Sequence, residues 1–140
     1  MKRKFKNIIL KTKISLFLVA IISINLQAQK KAKDTLFFKV DNLYLFEDKN
    51  NSKTFLIKDS NRDEEICFEE TTVIHNLKPM QVLDLKYFIR NSKFYNRYGK
   101  NELSNYSLTN FLHEYEIFLV RECEKTTDFI SVNILLRSID

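Results

Sequence analysis

One glycine and one proline in 140 residues constrain this chain more than any other feature of it. A dinucleotide fingerprint, a Walker loop or a nucleophile elbow needs several positions where only a missing side chain lets the backbone approach phosphate or turn sharply. Gly99 alone writes none of them. Turns must rely instead on Asn, Asp, Ser and Lys, the oxygens of Asn and Asp bonding nearby backbone donors. Two cysteines likewise fall short of a four-cysteine zinc site or a dense disulfide scaffold.

Charge is distributed unevenly. The first 28 residues hold six basic residues (Lys2, Arg3, Lys4, Lys6, Lys11, Lys13) and no acid, which leaves 17 basic against 18 acidic residues for the rest. The net +5 therefore belongs to the leader, and the remainder offers no net-charge argument for nucleic acid. A cationic start, an apolar stretch from Ile14 to Leu26 and the end Leu26-Gln27-Ala28 make up the three-part layout of a secretory signal peptide. As a helix, the stretch reaches roughly 20 Å against about 30 Å of bilayer hydrocarbon. Cleavage after Ala28 is expected, in preference to an uncleaved membrane anchor, which Lys11 and Lys13 interrupt. Residues 29–140 then form one small domain, periplasmic or extracellular. The Lys-rich leader ending in Gln-Ala-Gln, followed by Lys-Asp-Thr-Leu-Phe-Phe-Lys at 33–39, resembles short exported bacterial proteins, and that resemblance brings no activity with it.

Ten Phe and six Tyr remain after the leader, and they favour β structure. Strands are expected at 35–40 and 43–47, joined as a hairpin at Asp41-Asn42, and then at 54–58 and 65–74. Thr35–Lys39 and Thr54–Lys58 look alike, as two similarly placed strands would. Pro79 suits a helix start, and Val82, Leu83, Leu85, Tyr87, Phe88 and Ile89 follow helical spacing, predicting a main helix over about 79–92. Ser107 caps a second short helix over about 107–113, and strands at 116–123 and 129–137 close the chain. Segregated strands and helices indicate an α+β fold with a largely antiparallel sheet.

Lys86, Arg90, Lys93, Arg97 and Lys100 are spaced by four, three, four and three residues, which places all five on one helix face if the helix runs that far. Tyr87, Phe94 and Tyr95 are interleaved with them, and no acid interrupts 85–101. Basic groups beside stacking aromatics suit an anionic glycan or a lipid headgroup, and export favours those over nucleic acid. The acidic run Asp63, Glu64, Glu65, Glu69 and Glu70 lacks the spacing and the glycine of an EF-hand and reads as a charged outer strand face balanced by that stripe.

Cys67 and Cys123 follow the leader into a compartment where disulfides persist, and a bond between them would close a 57-residue loop. With His75 and His113 they also compose a four-ligand set for zinc or a Cys–His nucleophilic pair, although the spacings match no familiar finger. No catalytic residue, metal ligand or cofactor is assigned. The leading expectation is an exported, non-enzymatic binding protein, or an accessory to an envelope protein. The alternative is a thiol- or zinc-dependent enzyme using Cys67 or Cys123 with His75 or His113.

Overall fold

The computed structural model describes residues 33–60, 63–98 and 102–139. The chain separates into two units, Met1–Ala32 and Lys33–Asp140. The expected signal peptide and the Lys100 end of the basic stripe lie outside the described residues. Among the described residues no helix is long and apolar enough to cross a membrane.

Elements follow in the order β1 (Thr35–Lys39), β2 (Leu45–Asp48), β3 (Asn51–Ile57), β4 (Glu64–Ile74), α1 (Leu85–Arg90), α2 (Asn105–Leu112), β5 (Glu116–Glu122) and β6 (Thr127–Ser138). The architecture is α+β and dominated by one six-stranded sheet, ordered β1-β5-β6-β4-β3-β2. That sheet is mixed rather than simply antiparallel, because β1 pairs parallel with β5 while the β5–β6, β6–β4, β4–β3 and β3–β2 pairs are antiparallel.

The expected β1–β2 hairpin is overturned. Asp41-Asn42 does turn the chain: Asn42 adopts a left-handed φ of 60°, and Asp41 Oδ1 accepts from the amides of Leu43, Tyr44 and Leu45 at 2.9, 2.7 and 3.0 Å. The turn, however, sends β2 to the opposite edge of the sheet. The tight hairpin is β2–β3, where Asp48 pairs with Asn51. Glu47 on edge strand β2 then meets Arg121 on β5 at 2.6 Å, so the sheet curls until its two sides touch at one end.

Period-2 alternation builds the core as the sequence leads one to expect. Ile66 and Phe68, Ile117 and Leu119, and Ile130, Val132 and Ile134 enter the concave side and meet Leu85 and Ile89 of α1 and Leu108 and Leu112 of α2. Phe118, Val120 and Phe129 form a smaller apolar cluster with Phe37 and Leu77. Both parities of β5 are therefore covered, which accounts for its unbroken Ile-Phe-Leu-Val run.

The helix expected over 79–92 is only Leu85–Arg90, and α2 is the longer of the two. Leu83 pairs as a strand would with Phe38, donating to Phe37 O at 2.8 Å and accepting from Lys39 N at 3.0 Å. Those bonds cover the outer edge of β1, which would otherwise present unpaired backbone. The helix starts only after it, where Asp84 Oδ1 caps Tyr87 N at 2.7 Å. The second helix begins two residues before the expected start, with Ser104 at its N-cap and Ser107 inside the first turn.

Candidate functional site

Because α1 stops at Arg90, the basic stripe is not one helix face, and its members go separate ways. Arg90 turns towards Asp59, in the loop after β3, donating from Nε at 2.9 Å and Nη2 at 3.1 Å. Its guanidinium lies 6.0 Å from the Tyr44 ring centroid and 5.6 Å from that of Tyr95. Tyr44 also donates its hydroxyl to Asp59 at 2.9 Å. Burial works against the Asp59 carboxylate, but the bonds from Arg90 and Tyr44 and the nearby Lys86 outweigh it and hold the carboxyl below its usual range. Burial first, and then Asp59, push the Tyr44 hydroxyl well above its ordinary value. Arg90, Asp59, Tyr44 and Tyr95 thus form a structural clasp between α1 and the β2–β3 side of the sheet.

Arg97 is also committed. Its Nε and Nη2 donate to the Arg90 carbonyl at 2.8 and 2.6 Å, and Nη2 donates to Asn91 Oδ1, placing a cation at the C-terminal end of α1. Arg97 and Lys93 both lie past the helix without an ion pair among the described residues, but Lys93 also lacks a side-chain hydrogen bond there. Its ammonium stands 5.5 Å from the Phe94 ring centroid, with its charge offered to solvent.

Tyr87, Lys93 and Phe94 are brought together. They line a groove of about 450 Å³ with Leu83, Phe88 and Phe111. Phe111 of α2 approaches Phe94 at 5.3 Å and Phe88 at 6.4 Å, and Phe88 in turn meets Phe38 of the core at 5.3 Å, so the floor of the groove continues into the core. Tyr87 stands 73% exposed beside it. The Asp84, Asn91 and Ser92 side chains along the groove are spent locally. Asp84 caps α1, Asn91 Nδ2 donates to Tyr87 O at 2.8 Å, and Ser92 Oγ donates to Ile89 O at 2.6 Å and accepts from Phe94 N at 3.2 Å. Of the residues that line the groove, Tyr87, Lys93 and Phe94 belong to the stripe the sequence singles out, and Leu83, Phe88 and Phe111 do not. The last comes from another helix, and no spacing rule reaches it.

The two cysteines are free, and the expected disulfide is corrected. Cys67 pairs with Leu135 on β6, whereas Glu122, the neighbour of Cys123, pairs with Thr127 at the other end of that strand. Eight residues of β6 separate those positions, about 27 Å at a strand's rise, against the roughly 7 Å a disulfide spans. Cys67 faces away from Ile66 and Phe68, as alternation implies, yet it is only 2% exposed. Burial raises its thiol pKa, as do Glu65, Glu69 and Asp48, while nearby Arg137 opposes them. Arg137 bonds Glu65 and also Asp48, the latter at 3.2 Å, so the acidic run is balanced there by β6 rather than by the basic stripe.

Nor do the four thiol and imidazole groups converge. His113 Nε2 lies 3.0 Å from Ile134 O, which only accepts, so that nitrogen carries the proton. His75 Nδ1 lies 3.2 Å from Asp128 Oδ1, and Cys123 Sγ lies 3.9 Å from Asp128 Oδ2. Asp128 is also bonded by Arg121, at 3.3 Å to Nε and 3.1 Å to Nη2. One carboxylate therefore gathers His75, Cys123 and Arg121, an assembly no spacing rule indicates. The hydrogen bond of Cys123 goes to a carboxylate rather than to a histidine base. Among the described residues no three or more His, Cys, Asp or Glu side chains are arranged to hold a metal ion.

No family model matches the chain, and no curated protein or solved structure matches it. Function is therefore read from the chemistry of the groove and its neighbours.

Proposed function

We propose that this is a small exported, non-enzymatic binding protein of the cell envelope or exterior that contacts an anionic partner through the α1 groove. The observation carrying this reading is the unpaired Lys93 ammonium beside an aromatic groove whose Asp84, Asn91 and Ser92 side chains are already bonded. The three-part leader supports export. Arg90 and Arg97 drop out as ligand groups because removing them would break internal bonds. Lys93 remains as the cation on the groove, whereas Lys86 is exposed but near Asp59 and outside the groove lining.

Immobilised dextran sulfate serves as a model anionic glycan for the test. The Lys93→Glu variant is expected to bind it at least about fivefold more weakly than the parent, since a lysine near an anionic surface contributes on the order of 1 kcal/mol. Binding of the parent should also weaken steeply with added salt. Equal affinities for parent and variant would remove this face as the site.

A further inference from the structure

We infer, on the basis of that reading, that the groove takes a single-chain anionic amphiphile, a hydrocarbon tail ending in one carboxylate. Three observations identify this class. First, Leu83, Tyr87, Phe88, Phe94 and Phe111 give the groove carbon walls, and its volume of about 450 Å³ falls in the range of small-molecule clefts. Second, Asp84, Asn91 and Ser92 are already bonded to the local backbone, so they have little left for a ligand rich in hydroxyls or amides. A sugar or nucleotide placed there would lose hydrogen bonds to water and recover few. Third, the cation on the lining is Lys93, past the C-terminal end of α1 and held over the Phe94 ring rather than in an ion pair, while the one carboxylate, Asp84, sits at the opposite end of α1 and is engaged by the Tyr87 amide. A cation past one end of α1, with apolar walls running away from it, complements a molecule with one negative charge at the end of an apolar tail.

The test is a calorimetric titration of the purified protein with octanoate, decanoate and dodecanoate below their micelle concentrations. Decyltrimethylammonium and decyl maltoside serve as cationic and neutral controls. Carboxylates should bind saturably, one per chain, each added methylene tightening binding about two- to fourfold, and decyltrimethylammonium should not bind. Lys93→Met keeps the side-chain stem and is expected to erase the preference for the anionic head while leaving the dependence on tail length. Tyr87→Ser, at a position too exposed to matter for folding, is expected to weaken all tails alike.

Saturable binding that ignores head-group charge, or that Lys93→Met leaves unchanged, overturns the inference. So does adsorption to phosphatidylglycerol vesicles with no saturable decanoate binding, which would assign the face to a membrane surface. If dextran sulfate binds through Lys93 while no tail titrates, the inference fails and the binding-protein reading stands. If neither probe binds, both fail.

Discussion

Thr109 lies in α2 with its Oγ1 buried and without a hydrogen-bond partner among the described residues. A hydroxyl in that position has given up water and gained nothing in return. Thr109→Val keeps the shape and discards the hydroxyl, so it is expected to stabilise the domain by about 1 kcal/mol, seen as a higher urea midpoint at unchanged slope. A lower midpoint would mean that an ordered water satisfies the hydroxyl. At this scale the sequence was informative about direction and silent about cover. Alternation put Cys67 opposite Ile66 and Phe68, but its burial depends on neighbours such as Arg137, distant in sequence and beyond any local pattern. Asp128 illustrates the same limit, since β-strand pairing and the end of β4 are both needed before His75, Arg121 and Cys123 can share it.

Short α1 is set by what lies on either side of it. Leu83 is held by β1 before the helix and Arg90 by Asp59 at its end, so the apolar spacing that suggested a helix from Pro79 is partly used as strand. Periodicity reads side-chain faces, and Leu83 can pack against the core from a strand-like segment as well as from a helix turn while Val82 stays exposed, which is why the helix boundary was illegible while its existence was not. The clasp at the helix end is pH-dependent. Asp59 has a depressed carboxyl pKa in the folded chain, so its contribution is complete above the unfolded value near 4 and is lost as pH falls through the folded one. Asp59→Asn is expected to cost about 2 kcal/mol at neutral pH, and the difference from the parent should shrink steadily below about pH 4 in urea unfolding. A difference that stays constant through that range would assign the effect to side-chain shape rather than charge.

Across the whole molecule, strand positions were legible and strand order was not. The β4, β5 and β6 segments announce themselves by alternation and β-branched content, but nothing local says that β1 will pair with β5 instead of β2. One end of the curled sheet is tied by Arg121, which joins Glu47 on one side to Asp128 on the other. Both outer partners of this tie are partly wet, so Arg121→Ala is expected to cost only about 1 kcal/mol. Its specific mark should be amide exchange about fivefold faster in β2, with β4 and β6 unchanged, and the effect should fade in high salt. Uniform acceleration across the sheet would mean that the tie supports global stability rather than the edge.

The parallel pairing of Thr35 with Glu116 also sets a schedule. Apart from the Leu83 bridge, the first strand of the domain meets its sheet partner only at Glu116, 81 residues beyond Thr35, so the chain cannot complete its sheet piecemeal as it emerges from a ribosome or a pore. A sequence with that topology stays threadable until nearly its last strand has arrived. If the leader exports the chain as proposed, late closure is itself useful, because a fold that formed early would block the passage it has to make.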